Sequence, residues 1–514
     1  MNADSKKKWF VYAVILLVAL SFRLFIALRL PNDEPDDGRV YSQIARNVLE
    51  QHVYSIESQA PYTSTLIRLP GYPFFIAAIY SVFGHGNNTA VRVAQAVVDT
   101  GTCILIALVA FTWTIRDERK HRAALIALAL AAVCPFTAIY VATILTEVLT
   151  NFLAVSMVLT ATFAFKATAR KRAIVWWIVT GLIAAIAVLF RPDSGLFAAA
   201  IGLTLMLSSW RRFREATLYA AIFSIAFCLV LVPWTIRNWR LFHVFQPLAP
   251  AHAEMPGEFV PHGYLLWVRT WLDDERYVAP ALWAMDTRQI HVEDFPARAF
   301  DSKEERDRVA ALFEKYNHPD GEEESEQADE ADDQDDSSGG DDEDQPEEEP
   351  EPEESPEPAD TNVEMTPEID AGFAQIGQER VAHSRFRYYV KLPAKRAMTL
   401  WFDTHSQYYP FNGELLPLAD LDHDIHQQYW LPLFAGLTWV YTLMGAVGAW
   451  LLWRSRNYRW LLMVALLIFL RLGFFASLEN PEPRYTVEFF PFLIIVAAAG
   501  IATVSFRKNL ANPV

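Results

Sequence analysis

Between Asp33 and Asp37 the chain reads Asp-Glu-Pro-Asp-Asp, four carboxylates in five residues. Carboxylates grouped this way can cap a helix, bind a divalent ion, or take a proton from a substrate hydroxyl. The residues that follow, Val40, Tyr41, Ile44, Ala45, Val48 and Leu49, are apolar at helical spacing. Asp36 or Asp37 therefore opens an amphipathic helix and can cap it. Capping alone does not account for four acids at one point. A carboxylate half shielded by lipid has a tunable proton affinity, which a general base needs, so Asp37 and Asp36 are catalytic candidates. Glu147 stands where a long apolar stretch must turn back on itself, and is a second acid for the same face. Asp99, deeper in an apolar run, is better suited to a structural pair with Arg23 or Gln95.

Arginines recur beside these acids. Arg68 precedes Pro70-Gly71-Tyr72-Pro73, Arg191 precedes Pro192-Asp193, Arg237 and Arg240 follow Pro233-Trp234, and Arg484 closes Asn480-Pro481-Glu482-Pro483. Each alone can be a side chain snorkelling to headgroups. Together they supply guanidinium forks suited to phosphate oxygens, so Arg68, Arg191, Arg237 and Arg484 are assigned to a phosphate-bearing lipid donor. Tyr41, Tyr72 and Trp267 are read as substrate contacts.

Membrane-spanning helices must carry these residues. Apolar runs of spanning length fall at 9–30, 89–115, 123–142, 148–165, 173–190, 195–208, 217–232, 429–453, 461–475 and 486–506, about ten in all. Lys6–Lys8 precede the first run, and basic clusters at 116–122, 166–172, 211–214, 454–459 and 507–508 fall at alternate turns. With ten spans all of them share one side, which the positive-inside tendency makes cytoplasmic, together with both termini. The acids and the four arginines then face outward. The run at 71–83 has only 13 residues and is expected to be re-entrant or interfacial. Cys103, Cys134 and Cys228 each lie inside a run, where a small buried hydrophobe is the expected role. The first run is too long for a cleavable signal and reads as a signal-anchor.

The pattern predicts an all-α polytopic membrane protein in three parts. Residues 1–233 form a membrane module whose first external loop, 31–88, holds juxtamembrane helices. Residues 234–428 form one large external loop, and 429–514 the last membrane helices. The formal charge of −17 misleads, because 320–360 holds 23 acidic residues and no Lys or Arg. Outside that segment the chain is net positive. The segment has almost no apolar residues and is expected to be a disordered spacer. A basic, aromatic stretch, with Arg385, Arg387, Lys391, Lys395 and Arg396 among Phe386, Tyr388, Tyr389 and Trp401, is of the kind that lies in the headgroup layer.

Asp37-Gly38-Arg39-Val40-Tyr41-Ser42-Gln43-Ile44-Ala45 followed by Arg68-Leu69-Pro70-Gly71-Tyr72-Pro73 resembles the first external loop of GT-C glycosyltransferases. The group it is most similar to is the family-39 type, the protein O-mannosyltransferase and aminoarabinose transferase clan. Leu145-Thr146-Glu147, Phe190-Arg191-Pro192, Pro233-Trp234-Thr235-Ile236-Arg237-Asn238 and Asn480 with Arg484-Tyr485 recur in that group's order. The resemblance implies a GT-C-like fold and a polyprenyl-phosphate sugar donor, with Asp37 as the first-loop catalytic acid and Glu147 at the second-loop acidic position. Many relatives have a second acid where Gly38 stands, which leaves Asp36 as the substitute.

The expected reaction is a single inverting displacement onto a hydroxyl of a glycan, lipid or protein. Polyprenyl phosphate is a good leaving group, so one base suffices and the paired carboxylates of glycoside hydrolysis are unnecessary. No metal or other cofactor is required, although the acid cluster could hold a divalent ion. Nothing calls for nucleic acid. Three rivals remain: a glycan polymerase or ligase using a lipid diphosphate, a lipid flippase or transporter, and a scaffold recruiting partners through the acidic loop. Transporters more often show paired repeats and helices broken near the midplane, which the sequence lacks. Short turns and the family resemblance favour a bacterial plasma membrane.

Overall fold

The computed structural model describes residues 3–30, 36–319, 363–403 and 423–504, and every regular element among them is helical. Contacts divide the chain into two units. The first comprises 1–260, 273–275 and 389–514, and the second 261–272 and 276–388.

Among the described residues of the first unit eight helices are long and apolar enough to cross a membrane. A ninth crossing is the pair Asp117–Ala132 and Pro135–Val141, bent by 54° at Pro135. Proline ends the regular hydrogen bonding there, and a buried arginine takes up the freed carbonyls. Arg23 donates to Ala131 O at 3.1 Å, to Ala132 O at 3.0 Å and to Asp99 Oδ2 at 2.7 Å. Arg23 is thus the structural partner of Asp99. Gln95 turns elsewhere, to the Thr143 carbonyl at 2.8 Å and the Tyr72 hydroxyl at 2.6 Å.

About ten spans are expected, and one of them is short. Gly195–Ser208 has 14 residues, about 21 Å of helix, short of a bilayer core of roughly 30 Å. It still carries the chain from Arg191 to Arg211, with Phe197, Ala200, Ile201 and Thr204 buried among its neighbours. Protein rather than lipid surrounds that face, so full spanning length is not demanded of it.

The basic clusters gather at one end of the bundle. The Tyr12 hydroxyl bonds the carbonyl of His121, Arg119 reaches the carbonyls of Ala502 and Thr503, Lys166 reaches that of Thr112, and Arg459 lies over Phe165. Trp177 stacks on Tyr219 and Gly181 abuts Phe223, so Arg170–Phe190 and Phe213–Phe242 run parallel and start at this same end. At the opposite end Arg92 donates to Leu30 O, and Gly71 meets the backbone of Leu189. Both ends of Gly71–Phe83 are therefore at that opposite end, and the helix does not cross. Of the cysteines, Cys103 and Cys134 are buried as expected, whereas Cys228 is exposed on the bundle surface.

Helix Asp36–Glu50 lies at the non-basic end with Ile44 and Ala45 fully buried. The last helix, Phe489–Ile501, crosses His423–Arg454 at Gly448 and Gly500, so closely that a side chain at either glycine would meet the partner's backbone. That crossing fixes the helix carrying Glu488 at its start.

The second unit has its own core. Helices His262–Arg269, Lys303–Asn317 and Pro367–His383 enclose Tyr264, Trp267, Trp271, Phe295, Phe313 and Phe373. Buried Arg380 ties it together through Glu305, Asp301 at 3.2 Å and Ala299 O at 2.9 Å. Residues 389–403 pack with the spans instead, the Leu400 carbonyl accepting from the Thr486 hydroxyl and Trp401 Nε1 donating to Thr442. The acidic segment expected at 320–360 lies outside the described residues.

Candidate active site

Asp37 stands in the first turn of Asp36–Glu50, a quarter exposed, with a guanidinium on each carboxylate oxygen. Arg68 Nη2 approaches Oδ1 at 2.8 Å, and Arg484 Nη2 approaches Oδ2 at 3.3 Å. The two arginines come from distant parts of the sequence. Arg68 ends an extended loop whose carbonyl at that position accepts from the Tyr54 hydroxyl at 3.2 Å. Arg484 sits in the short turn Pro483–Thr486, its guanidinium 5.3 Å above the Tyr485 ring. Burial pushes the Asp37 proton affinity up, but Arg484 and Arg68 outweigh it and hold the group below the usual aspartate value. One helical turn on, Tyr41 is pushed up to about 12 by burial and then by the Asp37 charge. Its ring meets Tyr72 edge-on at 5.1 Å.

Behind this pair lies a buried ionic network. Arg191 Nη1 meets Glu147 at 2.7 Å and Glu488 at 3.7 Å, and its Nε meets Asp193 at 3.1 Å. Arg471, fully buried, meets Asp193 at 2.5 Å and Glu488 at 2.9 Å, and donates from Nε to Tyr485 O at 2.9 Å. Tyr485 follows Arg484 and also lies under the Arg191 guanidinium, 5.1 Å away. The network therefore anchors the turn that aims Arg484 at Asp37. Glu147 Oε2 and Glu488 Oε2 are buried with no hydrogen-bond partner among the described residues.

The residues expected at the site divide accordingly. Asp37, Arg68 and Arg484 come into direct contact. Glu147 and Arg191 are joined to each other in the buried network, so Arg191, committed to three carboxylates, is a structural cation there. Arg237 is stacked at 4.7 Å over Trp234, 5.2 Å over Tyr54 and 5.3 Å over Phe242. Its Nη1 donates to Thr65 O at 2.7 Å and Asn238 Oδ1 at 2.9 Å. Tyr72 is fully buried, its hydroxyl spent on Gln95, and serves the packing beneath Tyr41. Trp267, expected to touch substrate, has no exposed surface and belongs to the core of the second unit. The side chain of Asp36, like Asp33 and Glu34, lies outside the described residues. Among the described residues no three His, Cys, Asp or Glu side chains are grouped to hold a metal ion.

Arg471, Glu488 and Asp193 were not assigned from the sequence. Their signal was present, since Arg471 interrupts an apolar run and Glu488 opens one, and ionisable residues in such runs are costly unless paired.

Residues 68–236 match the family described as dolichyl-phosphate-mannose-protein mannosyltransferase. Among solved structures, the archaeal oligosaccharyltransferase AglB from Archaeoglobus fulgidus, in complex with an inhibitory peptide and a dolichol-phosphate, aligns at 14% identity with a TM-score of 0.47, over 96% of this chain and 50% of that one. ArnT from Cupriavidus metallidurans bound to undecaprenyl phosphate aligns at 15% identity with a TM-score of 0.39, over 98% and 78%. The chain thus spans about half the length of the oligosaccharyltransferase. No curated protein sequence matches it. The family match covers the segment that carries Arg68, Glu147 and Arg191.

Proposed function

We propose that this chain is a membrane glycosyltransferase of the GT-C type that moves a sugar from a polyprenyl-phosphate donor to a hydroxyl acceptor, with inversion and with Asp37 as general base. The observation that carries the reading is the partly accessible Asp37 carboxylate set between two guanidiniums at one end of the bundle. The matched family's description names a phosphate-linked lipid sugar of this class. In the proposed step the acceptor O–H gives its proton to Asp37 as the oxygen attacks the anomeric carbon. The bond from that carbon to the phosphate oxygen breaks, and the electron pair leaves with the phosphate. Arg68 and Arg484, with Arg237 nearby, stabilise the charge that develops there. One displacement inverts the anomeric centre.

The basic clusters at the far end favour placing that end in the cytoplasm, so the reaction faces outward, across a bacterial plasma membrane in our reading. The acceptor is a glycan, a lipid or a protein hydroxyl. Purified protein should transfer radiolabelled sugar from polyprenyl-phosphate donors to acceptors in a membrane extract. Asp37→Asn should insert normally and still bind donor, because Asn serves a helix start about as well as Asp. It should abolish turnover, since an amide cannot accept the proton. An Asp37→Asn protein that turns over at the wild-type rate would remove Asp37 from the role.

A further inference from the structure

The resting geometry is unsuited to a base. Each oxygen of Asp37 already carries a guanidinium, Arg68 on Oδ1 and Arg484 on Oδ2. A carboxylate so paired has no oxygen free of positive charge to turn toward an acceptor hydroxyl, and its affinity for a proton is lowered. We propose that Asp37 is masked as a base by Arg68 and Arg484 in the empty enzyme and is released when the donor phosphate draws both guanidiniums to itself. The proposal rests on the polyprenyl-phosphate reading above and concerns how that same site is switched on.

Three features of the site support it. Arg191 and Arg471 are tied to buried carboxylates, and Arg237 is held by a carbonyl, an amide and three rings. The guanidiniums of Arg68 and Arg484 instead meet a carboxylate that is a quarter exposed. Arg68 also holds its Nε–H buried without an acceptor, while its Nη1 contact to Ile67 O is long at 3.4 Å. A guanidinium binds a phosphate through two parallel N–H groups, and Arg68 has an unused one. Finally, a phosphodiester carries one negative charge, as the carboxylate does. Exchange of one for the other leaves the arginines paired and moves the cost of burial onto Asp37.

Once released, Asp37 has beside it the Tyr41 hydroxyl on its own helix, neutral at working pH, so burial then dominates and the proton affinity rises. An enzyme built this way activates neither acceptor nor water until the phosphate is seated.

The test compares two pH profiles on the whole protein in lipid nanodiscs. The acid limb of kcat/KM reports the free enzyme and that of kcat the donor complex. The kcat limb should lie higher by about 1–3 pH units, the size of shift that a neighbouring opposite charge produces. Arg484→Gln should move the kcat/KM limb up and leave the kcat limb in place, and Arg68→Gln serves if that variant does not fold. Binding of the sugar phosphodiester without acceptor, measured by calorimetry in two buffers of different ionisation enthalpy, should take up protons near the limb. Asp37→Asn should abolish that uptake. Coincident limbs, or donor binding without Asp37-dependent uptake, would overturn the masking and leave the glycosyl-transfer reading standing. Failure of any polyprenyl-phosphate donor to bind would overturn both.

Discussion

Replacing Arg471 with Met tests whether the buried network holds the site together. Methionine is unbranched like the arginine stem and carries no charge. The change takes a guanidinium from Asp193 and Glu488, 2.5 and 2.9 Å away, and a donor from Tyr485 O. Breaking a buried ion pair by removing one partner costs about 3–5 kcal/mol. The orphaned carbonyl adds about 1–3 kcal/mol. Arg191 remains beside both acids, at 3.1 and 3.7 Å, and returns part of this. The expected net loss is about 3–5 kcal/mol, more than a hundredfold in the folding equilibrium at about 1.4 kcal/mol per decade. Equilibrium unfolding in mixed detergent and SDS micelles reads it directly. Glu488→Gln in the same background should recover at least about 1 kcal/mol of the summed single losses, because the two side chains touch. Since Tyr485 follows Arg484, kcat/KM for donor should fall further than the unfolded fraction explains. A loss under about 1 kcal/mol, with additive double-variant behaviour, would refute the argument that this network is an interdependent ionic core.

Further outcomes follow from the same geometry. Arg237→Lys keeps the charge and loses the planar stack on three rings, so KM for donor should rise about tenfold with kcat nearly unchanged, given roughly 0.5 kcal/mol for each of the three cation–π contacts; steady-state kinetics across donor concentration decides it. Deleting residues 321–359 should leave insertion and transfer to a small soluble acceptor intact. The chain leaves and returns at one place, Glu364 N donating to Tyr316 O at 3.2 Å, and closure entropy varies slowly with loop length. Loss of transfer by a properly inserted deletion variant would place part of the acceptor site there. Reporter fusions at Arg119, Arg170, Arg212 and Arg456 should all read cytoplasmic and those at Glu57 and Asn480 external. Asn480 on the cytoplasmic side would break the end-to-end alternation of the bundle.

Much of the fold was legible because lipid imposes a simple code. Runs of about twenty apolar residues must be helices, since no other segment satisfies its own backbone in hydrocarbon, and basic clusters at alternate turns number the crossings. The code fails where protein substitutes for lipid. Gly195–Ser208 is too short for a bilayer, yet it passes because its neighbours cover it. The break at Pro135 was hidden because its cost is met by Arg23, more than a hundred residues away. Trp267 misled for a related reason. Tryptophans in a polar loop read as an aromatic binding face, and the loop instead folds around them as its own core.

The site was legible in its parts and not in its pairings. Four arginines at one end of a bundle look alike in a sequence, and each could be assigned to a phosphate. What separates them is which negative group each already faces. Arg191 is satisfied three times over, by Asp193 two residues on and by Glu147 and Glu488, which lie far from it in the chain. Arg68 and Arg484, 416 positions apart, share one carboxylate at the edge of solvent. A buried guanidinium ringed by carboxylates gains little by meeting a phosphate, because it would have to abandon charges that cannot then be solvated. A guanidinium on a partly exposed carboxylate loses less by the same exchange, since water can take its place on Asp37. What separates the arginines is therefore the burial of the carboxylates each one faces, and that follows from tertiary contacts that no local pattern encodes.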